Sequence, residues 1–523
     1  MVLVRFSLDK LQAFSSLSKE EIISTPWLLG GEAREEDGKV VMEFNPDRPD
    51  LYSIQGITRA MRQYLGKERY RKFAVYDLGF EISVDAPRER PFFAACVVRN
   101  VNTSGMLEYI IDYQEKLHLT IGRNRKKSAI GLHDFKKVKF PLKYTSVDRD
   151  AEFLPLDGNE RIKISEFMKK NEKAIEYGHL VSEKIPAILD SGGEIISLPP
   201  LLNSSITKVD DSTTDFFIDV TGTDKNTVLR TLVLMATSLS YPQGVLDSLL
   251  IQGEKVPKIE EEELEIPVEG VRRILGYKLE RDQIKEALER MGFSVGERVI
   301  IPPYRVDILG EIDLVEDVLK GIGFSNLKGG HKNFQHYGEE NKLRRTEDRL
   351  RRLLVGYDLS ETVSSVLVNT SFNRIYQIGE PVRKIINPIS QEQDSVRKMM
   401  TPSLIQTFLN NLRNPYPQRI FEIGTVFDED GEGDVLGIGI ADKDASFSDI
   451  KGLVIGILED LAVEEYTIER GDIPFYIRGR VGRIMAYGKA IGFFGEIHPR
   501  ILKELGIKMP VATAELKLGL IIR

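Results

Sequence analysis

Cysteine is nearly absent: of 523 residues only Cys96 is one. That excludes a disulfide framework and any cysteine-rich zinc site, and it suits a reducing compartment. Long apolar runs are missing as well. The greasiest stretch, LVLMA near residue 234, is far too short to span a bilayer. The start, MVLVRFSLDKLQAF, carries Arg5, Asp9 and Lys10 among its apolar residues and so is no signal peptide. These absences set the expectation of a cytoplasmic chain without a membrane segment. Basic charge is not in excess either. The net charge of −8 argues against a protein that coats DNA, though a local basic footprint for RNA stays compatible with it.

What is present is ordinary globular material, 41% hydrophobic and 29% charged, enough for several cores. Length alone suggests about three or four domains. No internal repeat or low-complexity tract is evident. Composition shifts divide the chain into residues 1–90, 91–250, 251–335 and 336–523. The first segment ends in the Pro- and Arg-rich DAPRERP and contains NPDRPDLYSIQGITRAMRQYLG. There a Pro–Asp turn leads to Ser53 as helix cap, Ile54, Ile57, Met61 and Leu65 form an apolar stripe, and Gly66 stops the helix. That reads as a structural element. The second segment mixes short strands, turns and helices. Its residues 121–140 hold seven Lys or Arg against one Asp, either a solvated surface or a nucleic-acid footprint. After KVPKIEEEELEIP, a linker or edge strand, two short capped helices and a β run resemble a winged helix-turn-helix. Next comes PPYRVDILGEIDLVEDVLKGIGF, where Asp313, Glu316 and Asp317 share one helical face. Either a cation holds these like charges, or they complement the helix macrodipole and need none. The last segment opens on the charged helix NKLRRTEDRLRRLL and continues in β-rich runs, an antiparallel sheet with flanking helices, with no tail domain after ELKLGLIIR.

Four ordered stretches resemble one family: NPDRPDLYSIQGI; VRRILGYKLERDQIKEALERMGF followed by PPYRVDILGEIDLVEDVLKGIGF; INPISQEQDSVRKMMTPSL with RIFEIGTVF; and GKAIGFFGEIHPRIL. The chain resembles the β subunit of phenylalanyl-tRNA synthetase in its shorter archaeal and eukaryotic form. That resemblance implies an α+β, multidomain fold. It comprises a mixed editing domain, the winged helix-turn-helix-like module, and a class II synthetase-like antiparallel sheet domain without catalytic residues. In the last of these Arg419 and Glu422 stand at altered spacing, and GFFGEIHP lacks the expected arginine. The longer bacterial form's oligonucleotide-binding barrel and anticodon domain have no counterpart here. The resemblance also implies an α-subunit partner in an (αβ)2 heterotetramer, with ATP used at the α subunit, and tRNA-Phe as the nucleic acid.

The resemblance further implies a Mg2+ site at Asp307, Asp313, Glu316 and Asp317, the last standing where the family more often has Glu. It implies an editing site in the second segment, because a hydrophobic pocket rejects an added hydroxyl only about a hundredfold. Two stretches offer side chains for it. FFIDVTGTD alternates as a strand and puts Phe217, Asp219, Thr221 and Thr223 on one face. In SLPPLLNSSIT the prolines break an apolar strand before Leu202, Asn203 and Ser204. Asp219 is the candidate to read a phenolic hydroxyl or to position water. Arg123, Arg125, Lys126 and Lys127 are the candidates for tRNA phosphate. His118 and His133 show no ligand spacing and are expected at the surface or in ordinary hydrogen bonds. The alternatives are a purely structural partner subunit with no hydrolytic activity, and a free-standing helix-turn-helix binder of nucleic acid.

Overall fold

The computed structural model describes residues 2–521 apart from 104, 328, 331–336 and 382. The chain forms two compact units that meet in sequence at residues 331/332. No helix among the described residues is long and apolar enough to cross a membrane.

In the first unit, strands Val2–Ser7, Lys39–Phe44 and Gly31–Glu36 make a small antiparallel sheet with two helices between the first strand and the others. Helix Ile54–Tyr64 follows, begun as the sequence predicts by Ser53, whose hydroxyl accepts the Gly56 N–H at 2.9 Å. Of its stripe, Ile54, Ile57 and Met61 are buried and Leu65, at the C-cap, is partly so, while Gln55, Thr58 and Arg59 on the other faces are buried too. Two later segments close on it. Ser238 donates to Ser53 at 2.6 Å, Arg59 donates to the Thr237 carbonyl at 3.2 Å, and the Arg59 guanidinium stacks 3.5 Å from the Tyr304 ring centroid.

The large sheet runs, edge to edge, Leu202–Asn203, Ile195–Leu198, Lys184–Leu189, Leu142–Asp148, Val75–Val84, Val245–Ile251, Phe92–Arg99, Phe216–Gly222 and Ser128–Asp134. The strand Val75–Val84 is paired in parallel on both sides; the other neighbours on this path run antiparallel. One face carries helices Leu107–Leu119 and Lys225–Leu239 and joins a core that continues through helix Ile54–Tyr64 into residues 271–318. A separate core with Phe217, Tyr144 and Ile188 covers the other face. Central strands are therefore buried on both sides, and Cys96 lies in one of them at 0% exposure.

The module after residue 260 has helices Val268–Leu275, closed by Gly276 in the left-handed region, and Arg281–Arg290. A three-stranded sheet follows in the order Glu262–Glu265, Arg298–Ile301, Ser294–Val295, and then helix Glu311–Ile322. The acidic EEEELE stretch is thus the edge strand.

The second unit is a sheet ordered Ser360–Glu361, Gln418–Asp428, Gly431–Ala441, Val511–Lys517, Lys489–Ile497, Tyr476–Ala486, Tyr466–Arg470, antiparallel except at its first pair. Helices Lys342–Gly356 and Phe447–Asp460 pack into one core, and helix Thr401–Asn410 into another. Glu422 is buried against Arg397 at 2.7 Å, and Arg419 donates to the Tyr357 carbonyl at 3.2 Å. Both are held by structural partners.

Candidate functional site

Asp219 sits in the middle of strand Phe216–Gly222, with Ala95 opposite on one neighbour and Gly131 opposite on the other. A Cβ at Gly131 would lie 1.9 Å from Asp219 Oδ2 and 2.9 Å from His133 Nε2, so only glycine leaves room for the carboxylate. Two residues along, His133 lies diagonally across on the same face. Its Nε2 is 2.9 Å from Asp219 Oδ2, and its Nδ1 is 2.7 Å from the Thr207 hydroxyl. All three groups are satisfied when Nε2–H donates to the carboxylate and Nδ1 accepts from Thr207. His133 and Asp219 are 0% and 1% exposed, so the imidazole fixes the carboxylate from behind.

A wall is built by the break at Pro199–Pro200. Asn203 donates Nδ2–H to the Leu132 carbonyl at 3.1 Å and accepts from Ser197 at 3.0 Å, which latches this corner to the strand bearing His133. The facing wall is helix Leu107–Leu119. Gln114 donates to the Ile130 carbonyl, and His118 Nε2 accepts the Ile130 N–H, both at 2.8 Å. Its other nitrogen donates to Glu115 at 3.3 Å. Burial holds His118 below the ordinary imidazole value, against the pull of Glu115. Burial would raise Glu115, but the His118 hydrogen bond and the Arg125 charge prevail and bring it to about 2.

These walls enclose a cavity of about 120 Å3 in which Asp219, Leu202 and Asn203 come together with Gly131, Glu115 and Ile130. The other three editing candidates lie elsewhere. Thr221 accepts from Arg90 Nε at 2.8 Å, Thr223 lies beyond the strand and donates to the Lys126 carbonyl, and Ser204 donates to the Leu154 carbonyl at 2.7 Å. The expected polar face of this strand is thus only partly a pocket lining, because both sides of the sheet are covered. Arg90, packed wholly among neutral acceptors, is pushed down by burial to about 10.

Arg125 needs correcting as a surface contact. Residues 123–125 all take positive φ, and the turn sends Arg125 inward. It is 5% exposed, donates to the Pro200 and Leu201 carbonyls at 3.0 and 3.2 Å, and pairs with Glu115 at 2.9 Å. It tethers the two walls through both terminal nitrogens, and its Nε is buried without a hydrogen-bond partner among the described residues. Arg123 and Lys126 are exposed, and Lys127 is half-buried. Sequence reasoning gave His133 only an ordinary hydrogen-bonded or surface place, and it missed Thr207 and Glu115. The only local signal was a histidine within the alternating run AIGLHD.

The four carboxylates assigned to Mg2+ do not converge on a shared cation. Asp307 and Asp317 both bind the guanidinium of Arg305, at 2.7 Å for Asp307. Asp313 accepts the Leu309 and Gly310 N–H groups at 2.7 and 2.9 Å, and Glu316 pairs with Lys320 at 2.8 Å. Among the described residues no group of three or more His, Cys, Asp or Glu could hold a metal ion. A second buried pair, Arg48 with Asp50 at 2.8 Å, acts on the same cluster. Arginine is therefore the cation here, and the residues as placed do not fit Mg2+. With three carboxylates on two guanidiniums, burial raises Asp317 while Arg305 holds Asp307 down against its own burial.

Comparison with known proteins agrees along the chain. Residues 90–239 match the B3/4 domain model, 264–324 the tRNA synthetase B5 domain, and 334–518 the phenylalanyl tRNA synthetase beta chain CLM domain. The chain is 33% identical to the phenylalanine–tRNA ligase beta subunit of Archaeoglobus fulgidus over 540 residues, covering 99% of this chain and 98% of that one. Identity to the corresponding subunit of Methanocaldococcus jannaschii is 36% over 510 residues, 92% and 93% of the two chains. A crystal structure of an N-terminal fragment of the phenylalanyl-tRNA synthetase beta subunit from Pyrococcus horikoshii superposes with a TM-score of 0.58 at 30% identity, covering 61% of this chain and 99% of the fragment. On this footing the chain belongs to the phenylalanine–tRNA ligase beta subunit family.

Proposed function

We propose that this chain is the cytoplasmic β subunit of a phenylalanine–tRNA ligase, paired with an α subunit as (αβ)2, and that its Asp219 cleft hydrolyses Tyr-tRNA-Phe. The α subunit, with ATP and Mg2+, activates phenylalanine and charges tRNA. The second unit, whose Arg419 and Glu422 are structurally engaged, serves as a class II-like partner surface. The observation that carries the reading is the cleft itself, where Asp219, Leu202 and Asn203 meet within the residues that match the B3/4 domain.

The chemistry follows from the side chains. The carboxylate of Asp219, oriented by His133, accepts a hydrogen bond from the tyrosine hydroxyl. Phenylalanine leaves that buried carboxylate with His133 but without the second hydrogen bond, and sites built for a hydroxyl reject analogues lacking it by about 10⁴-fold or more. With the ring so held, a water oxygen attacks the ester carbonyl carbon. The carbon–oxygen bond to ribose breaks, the ribose oxygen takes a proton, and tyrosine and uncharged tRNA leave. Arg123 and Lys126, both exposed, are offered to the tRNA body.

The test is Asp219→Ala in the assembled complex. A charge-assisted hydrogen bond contributes about 1.5–3 kcal/mol, so deacylation of Tyr-tRNA-Phe should fall about 10–100-fold while charging with phenylalanine is retained. Unchanged deacylation would instead support the scaffold reading.

A further inference from the structure

The substrate proposed for the cleft is a polyanion, so its phosphates need cations at the mouth that are not already engaged inside. Five charged side chains line the cavity: Asp219, Glu115, Arg125, Lys173 and Lys208. Arg125 commits both terminal nitrogens to Glu115 and two backbone carbonyls, and its remaining Nε is buried. Lys173, at the start of helix Glu172–Tyr177, is exposed; its charge acts on Glu115, but among the described residues it forms no direct ion pair. Lys208 follows the turn that carries Thr207, and its ammonium reaches only Asp157, in a pair half to two-thirds exposed. Pairs of that kind are weak and exchange readily for a better anion.

We infer that Lys173 and Lys208 form a phosphate clamp at the mouth of the cleft, holding the phosphodiesters next to the terminal adenosine of the RNA 3′ end. The inference rests on the proposed substrate but concerns a different part of it. The charge order of the cleft matches that of a tyrosylated 3′ end, with the Asp219 carboxylate at the hydroxyl and the lysines at the backbone. It also supplies what the inward turn of Arg125 removes from the basic stretch.

Two probes separate the parts: 3′-tyrosylamido-adenosine, which has no phosphate, and a tetranucleotide ending in the same group. Neither can be hydrolysed, so binding is read even if the cleft has no esterase activity. In the assembled complex the tetranucleotide should bind more tightly than the nucleoside. Lys173→Ala with Lys208→Ala should weaken the tetranucleotide at least tenfold and the nucleoside less than twofold. Each single-stranded phosphate contact contributes about 0.7 to the slope of log K against log salt, so the double variant should lose about 1.4. Lys173→Arg with Lys208→Arg should restore binding. Equal loss for both probes, or an unchanged salt slope, overturns the clamp. If Asp219→Ala leaves nucleoside binding untouched, the hydroxyl-reading role fails separately.

Discussion

Glu115 and His118 lie one helical turn apart and face the same buried strand, yet they titrate in different windows. Burial depresses His118 from its ordinary value of 6.5, so as pH falls through 6.5 the unfolded chain gains a proton that the folded chain refuses. Stability is therefore full above pH 6.5 and declines below it. Glu115, depressed from 4.5 to about 2, adds a second decline as pH falls from 4.5 towards 2. Urea midpoints measured against pH should show both steps, with His118→Gln flattening the upper and Glu115→Gln the lower. An unaltered profile in His118→Gln would mean that the folded and unfolded chains protonate this imidazole alike. At this scale the sequence was half legible. Strand alternation singled out Asp219, and the double-proline break singled out Leu202 and Asn203. It could not show His133, because the diagonal partner of Asp219 is set by a register between strands 86 residues apart. Thr221 and Thr223 share the alternation but meet Arg90 and a backbone carbonyl, partners brought in by distant segments.

Helix Glu311–Ile322 shows the same limit at the scale of an element. Its acidic start was plain, and the macrodipole account fits Asp313, which caps two backbone N–H groups. Arg305 was in view in the same stretch. What could not be seen was that it folds back to within hydrogen-bond reach of Asp307 and Asp317, with Arg48 from the first segment beside it. Replacing Arg305 by Met should strand two buried carboxylates and destabilise the chain by about 3–5 kcal/mol. Thermal unfolding of the isolated chain should be the same in Mg2+ and in EDTA. A melting temperature that rises with Mg2+, and no longer does so in Asp313→Ala, would restore the metal reading.

At the scale of the molecule, the core of the first unit runs without a break from the N-terminal sheet to helix Glu311–Ile322. Helix Ile54–Tyr64 is the reason: the sequence marked one apolar stripe, whereas Arg59, Gln63 and Tyr64 use the remaining faces to reach Thr237, Tyr304 and Lys320. Residues 1–331 made alone should therefore unfold in a single cooperative transition, with circular dichroism and aromatic fluorescence coinciding. They should retain Asp219-dependent hydrolysis of tyrosyl-adenosine. Two separate transitions would mean that the winged module is only loosely joined to the large sheet.

Cys96 is the only thiol of the chain and is sealed in a central strand, with burial pushing it further from the thiolate. The native protein is consequently silent to maleimide dyes. A cysteine introduced at an exposed position such as Glu160 would be the sole reactive attachment point on this subunit. A donor there and an acceptor on the RNA would let single-molecule energy transfer time the passage of a mischarged 3′ end between subunits, with no background thiol on this chain to remove first.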